Sequence, residues 1–76
     1  MKITVEVSAV FDKDGRITPK KIRLDGQTFD VYHITDVRRA ASLRSGGTGI
    51  RYTCLIDGRE SYLFNDDGVW FVEAVC

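Results

Sequence analysis

The stretch IRYTCLIDGRESYLFN, residues 50–65, decides the fold: two short runs that alternate apolar and polar residues meet at Asp57-Gly58. In the first run Ile50, Tyr52, Cys54 and Ile56 share one face while Arg51, Thr53 and Leu55 share the other, which is the two-residue period of a strand. Glycine adopts positive φ without steric cost, and aspartate tolerates it while bonding its own backbone. Asp-Gly between two such runs therefore reads as a hairpin turn.

Working outward, the same dipeptide recurs at Asp14-Gly15, Asp25-Gly26 and Asp67-Gly68. Each stands between alternating runs. In the first, Ile3, Val5, Val7, Ala9 and Phe11 point one way, with Lys2, Thr4, Glu6 and Ser8 opposite. In the second, the apolar positions pass from Ile17 to Ile22 and Leu24, so their parity flips around Pro19 and a β-bulge or bend is expected there. Pro19 lacks the amide proton of a central ladder, which places it at an edge or a corner of the barrel. The third run, about Gln27 to Val37, sets Phe29, Val31, His33 and Val37 against Tyr32 and Ile34, and so should be covered on both faces. The last run, Val69 to Val75, offers Trp70, Val72 and Ala74 on one side and Val69, Phe71 and Val75 on the other.

From Arg38 to Gly49 the alternation stops. Ala40-Ala41-Ser42-Leu43 has the composition of one helical turn, and Ser45-Gly46-Gly47-Thr48-Gly49 that of a flexible connection. The expected fold is all-β. Two three-stranded meanders, joined by a Gly/Arg-rich loop at about 39–49, pack as a small six-stranded antiparallel barrel or a tight two-sheet sandwich, one domain over residues 1–76. A chain this short buries only about 60% of its extended surface, so its eight aromatic side chains must supply much of the core.

Eleven basic and eleven acidic residues give no net charge, which argues against a surface built as a whole to hold nucleic acid or anionic lipid. The distribution is local: Arg38, Arg39, Arg44 and Arg51 lie within a segment that has no acid between them. Residues 1–11 alternate instead of forming the apolar block of a signal peptide or membrane helix, so a cytoplasmic location is expected. Two reduced cysteines follow from that setting, with Cys54 a small core hydrophobe and Cys76 an exposed thiol.

Arg51-Tyr52-Thr53-Cys54-Leu55-Ile56-Asp57-Gly58, followed by Tyr62-Leu63-Phe64 and Trp70-Phe71-Val72-Glu73, resembles a pattern in short uncharacterised all-β bacterial proteins of Firmicutes type. The positions of Pro19, Gly26 and Gly46-Gly47-Thr48-Gly49 belong to the same likeness. The resemblance implies a small stand-alone bacterial domain and transfers no functional residue.

Candidate chemistry is sparse. His33 is the only histidine and has no partner at catalytic spacing, and a zinc site from His33, Cys54 and Cys76 lacks the close ligand pairs that preorganise such a centre. Asp12-Lys13-Asp14-Gly15 and Asn65-Asp66-Asp67-Gly68 have the hard-oxygen composition of a divalent-cation loop. Neither reaches the twelve-residue pattern, and turn chemistry explains both. Gly46-Gly47-Thr48-Gly49 precedes a strand, whereas phosphate-cradling glycine loops open a helix. Cys54 has no recognisable base. The reading is a non-enzymatic binding module without cofactor or metal. Its contact surface is formed by Arg38, Arg39, Arg44, Arg51 and Tyr52, and its partner is another protein or a second copy. The alternative is single-stranded nucleic acid, with phosphates on the arginines and bases stacked on Tyr52, Tyr62 or Phe71.

Overall fold

The structure is a computed structural model that describes residues 3–41 and 48–74. Six antiparallel strands, β1 (Ile3–Phe11), β2 (Ile17–Leu24), β3 (Gln27–Ala41), β4 (Thr48–Ile56), β5 (Arg59–Asp66) and β6 (Val69–Ala74), close into a barrel in chain order. The barrel alternative of the sequence reading is the one adopted. No helix among the described residues is long and apolar enough to cross a membrane.

Three of the Asp-Gly pairs are two-residue hairpin turns with both φ angles positive: Asp25 and Gly26 at 51° and 79°, Asp57 and Gly58 at 53° and 74°, Asp67 and Gly68 at 53° and 87°. That is the type I′ geometry, whose twist matches that of the flanking strands. The first pair differs. Only Gly15 has positive φ, and the turn is held by the Asp12 side chain, whose Oδ1 accepts from the Asp14 and Arg16 amides at 3.0 and 2.9 Å.

The bulge expected near Pro19 is present. Ser8 pairs with Lys21 and Ala9 with Pro19, so Lys20 is the extra residue and the inward parity changes across it. Pro19 itself is fully buried, which makes it a corner. A second irregularity was not foreseen. Tyr32 pairs with Leu55 and Asp36 with Thr53, so β3 advances four residues while β4 advances two, and His33 takes a left-handed φ of 55°. The parity of β3 is broken there. Ile34 packs against the core and His33 is exposed, which corrects the expected sharing of one face by Phe29, Val31 and His33.

The interior is filled by Val5, Ile22, Val31, Tyr52, Cys54, Ile56 and Leu63, with Ile34, Ile50, Trp70 and Val72 packed against them. Tyr52 stacks on Trp70 with ring centroids 5.8 Å apart, and its hydroxyl donates to the Ile17 carbonyl on β2 at 2.6 Å. A second apolar cluster lies on the outer face. Phe64 and Phe71, directly opposite one another on β5 and β6, stack at 5.0 Å and are both buried.

Candidate functional site

Successive connections of an up-and-down barrel alternate between its two ends. The β1–β2 turn, the β3–β4 connection and the β5–β6 turn therefore share one end. At that end the strands are unequal. β3 runs to Ala41, but its ladder with β2 ends at Lys21–Asp30, where the Lys21 ammonium also meets the Asp30 carboxylate at 3.0 Å. Beyond this rung β2 reaches its bulge and then Pro19, which has no amide proton to donate. No strand among the described residues pairs with β3 on that side past Asp30. β1 likewise outruns β6, because their pairing stops at Val5–Trp70 while β1 continues to Phe11.

The turn chemistry determines which backbone groups face this open side. A type I′ turn joins two residues that exchange both hydrogen bonds, so Ile56 and Arg59 form such a pair across Asp57-Gly58. Every second residue repeats the arrangement, and Cys54 and Tyr52 therefore bond β5 while Leu55, Thr53 and Arg51 bond β3. The partners of that last set, Tyr32, Asp36 and Arg38, direct their amides and carbonyls to β4. Val37 and Arg39 direct theirs the other way, to the side β2 has left. The Thr35 hydroxyl reaches the Thr53 carbonyl at 3.4 Å, consistent with that carbonyl facing β3.

Apolar side chains crowd the same end. Phe11 is 71% exposed, Val37 55% and Val10 51%. Beside Val37, the Arg38 guanidinium binds the Asp36 carboxylate through two contacts, Nε to Oδ2 at 2.6 Å and Nη2 to Oδ1 at 3.2 Å. This hydrogen-bonded guanidinium holds the Asp36 carboxyl below its ordinary range. Both side chains are solvent-accessible, so the pair orients charge more than it stabilises the fold.

The expected contact residues divide. Arg38 and Arg39 are exposed and lie on β3, not in a loop, paired with Arg51 and Ile50. Ala40 and Ala41 also belong to β3, and Thr48 and Gly49 to β4, which corrects the first half of the helical turn expected over 40–43 and shortens the connection expected at 39–49; residues 42–47 lie outside the described residues. Arg44 lies outside the described residues. Arg51 is half-buried, with its guanidinium 4.6 Å from the centre of the Tyr62 ring and its Nε without an acceptor among the described residues. Tyr52 is 3% exposed and fills the barrel, so it is no contact residue. Phe71 is 2% exposed, which removes it as a stacking platform as well.

The other candidates fare as their environments dictate. Cys54 is buried, and burial pushes its thiol up to about 11. Cys76 lies outside the described residues. One Asp12 carboxylate oxygen already accepts two backbone amides, and no metal-holding group of His, Cys, Asp and Glu occurs among the described residues. At the far end of the barrel a concavity of about 500 Å³ opens between Leu24, Phe29, Ile56 and Val72, with Asp57 and Arg59 at its lip. The sequence places an edge or corner at Pro19, but the open edge lies on the neighbouring strand, β3, which continues to Ala41 after its ladder with β2 has ended at Asp30. The alternation that ends at Val37 hides that extension.

No family model, curated protein or solved structure matches the chain.

Proposed function

We propose that this barrel is a non-enzymatic binding module that takes up an extended strand of another polypeptide on the open side of β3. The observation that carries the reading is the mismatch in ladder length: pairing with β2 ends at Asp30 while β3 continues to Ala41. A strand edge offers a row of backbone donors and acceptors that another chain can pair with, and proteins that do not use such an edge shield it with proline, lysine or a covering element. Pro19 shields the β2 side, whereas β3 presents Val37 between polar neighbours. The exposed Val10 and Phe11 add apolar area at the same end.

The test is hydrogen exchange on dilute protein combined with Val37→Pro. Proline at Val37 removes only the amide directed to the open side and leaves the Asp36 and Arg38 bonds to β4 in place. Faster exchange of the Val37 and Arg39 amides than of Arg38, with polypeptide binding lost in Val37→Pro, supports strand addition. Protection of Val37 and Arg39 in the isolated monomer would refute it. A parallel titration of labelled single-stranded DNA and RNA at low and physiological salt separates the nucleic-acid alternative. Salt-sensitive binding abolished by replacing Arg38, Arg39 and Arg44 with alanine would favour that reading.

A further inference from the structure

We infer that the strand received by β3 is the β3 of a second copy, paired antiparallel about a two-fold axis through Val37. The inference rests on reading β3 as a binding edge and identifies its occupant. In an isologous contact each residue meets the one equally far from the axis on the other copy, so the sequence of the strand must be complementary to its own reverse. Around Val37 it is. Asp36 falls opposite the second copy's Arg38, Arg38 opposite its Asp36, and Val37 opposite Val37. Thr35 meets Arg39 and Ile34 meets Ala40.

Charge and backbone geometry select this register. An antiparallel two-fold axis can pass through a residue that exchanges hydrogen bonds with its copy or through one at a non-hydrogen-bonded position. An axis at Asp36, Arg38 or Arg39 sets a charged side chain against its own copy, and one at Thr35 runs into the left-handed break at His33. Val37 remains, and it is 55% exposed on the free chain. The carboxylate and guanidinium that now bind one another at 2.6 Å on the same strand are already side by side, each ready to face its opposite across the axis. Zero net charge removes the long-range repulsion that otherwise keeps identical chains apart. The overhang of β1, Glu6–Phe11, contains a single charge and has no such self-complementarity.

The test uses charge reversal and sedimentation velocity over a range of concentrations. Wild type is expected to dimerise reversibly. Asp36→Arg alone places two arginines opposite two arginines, and Arg38→Asp alone places acids opposite acids, so each variant should associate at least about tenfold more weakly. An equimolar mixture of the two restores opposite charges at both positions and should form a heterodimer, an outcome that nonspecific stickiness would not give. Circular dichroism checks that each variant is folded. A wild type that stays monomeric at high concentration, or a dimer indifferent to both reversals, overturns the inference. Hydrogen exchange on the same samples keeps its failure distinct from that of the binding-edge reading. A monomer with rapidly exchanging Val37 and Arg39 amides refutes only the second copy as occupant, whereas a monomer that protects them refutes both.

Discussion

The Tyr52 hydroxyl on β4 donates to the Ile17 carbonyl on β2 across the barrel at 2.6 Å, at the level where the β2–β3 ladder has already ended. A side chain thus satisfies a backbone acceptor where a neighbouring strand otherwise would, and it ties the β1–β2 hairpin to the barrel wall.

Tyr52→Phe keeps the ring and its stack on Trp70 but removes the donor. Loss of this bond and the unsatisfied carbonyl should cost about 1–3 kcal/mol in urea denaturation, with the m-value unchanged. A change below about 0.3 kcal/mol would mean that water replaces the hydroxyl at no cost.

Gly49→Ala should destabilise more than Gly58→Ala, although only Gly58 has positive φ. A Cβ on Gly49 would lie 2.9 Å from the Asn65 carbonyl oxygen and 3.5 Å from the Asp66 Cα, both backbone atoms that cannot swing aside. At Gly58 the space is open and the penalty is conformational, about 1 kcal/mol. Thermal denaturation of the two variants gives the order directly.

His33→Gly should be neutral or stabilising by up to about 1 kcal/mol. The histidine is exposed, holds φ at 55°, and has an edge contact with Tyr32 at 6.5 Å as its ring interaction. Glycine relieves the left-handed strain but frees the unfolded chain, and the two effects partly cancel. A loss above about 1.5 kcal/mol in chemical denaturation would show that the imidazole stabilises the bulge through its contacts.

Stability should fall as pH rises from 9.0 towards about 11, because burial raises the Cys54 thiol across that interval. A raised folded value means that the unfolded chain ionises first. The contribution is therefore complete below 9.0 and lost by about 11, and the buried Tyr52 hydroxyl, raised in the same direction, adds to it. Cys54→Ala should show a shallower decline in melting temperature over this range than wild type. At neutral pH, in a Cys76→Ser background, the Cys54 thiol should react with a disulfide reagent only on unfolding.

The turns, the barrel and the Lys20 bulge were legible because each has a local cause: Asp-Gly for the turns, and a parity flip beside a proline for the bulge. The course of β3 past Val37 was not. Arg38, Arg39, Ala40 and Ala41 lack alternation and strand propensity, and their strand geometry comes from pairing with Thr48 to Arg51, a tertiary influence that overrides local preference. Tyr52 was placed on two surfaces at once by sequence reasoning, with the core set by its parity and with the arginines by its proximity. Parity was the sounder guide, since direction alternates strictly along β4 whereas nearness in sequence says nothing of facing. Phe64 and Phe71 show the converse, outward by parity yet buried, which the two-sided apolar character of β6 had signalled without saying what they meet.

The closed ladder order also bears on how the chain folds in time. Among the described residues, five of the six ladders join strands that follow one another in sequence, and only β1 with β6, paired over Ile3–Val5 and Trp70–Val72, brings distant segments together. Neighbouring hairpins can zip from their turns at little loop-closure entropy, while this one short seam must close nearly the whole chain. The seam is thus the natural last step of folding and the first to part on unfolding, and substitutions along it should act on the unfolding rate more than on the folding rate.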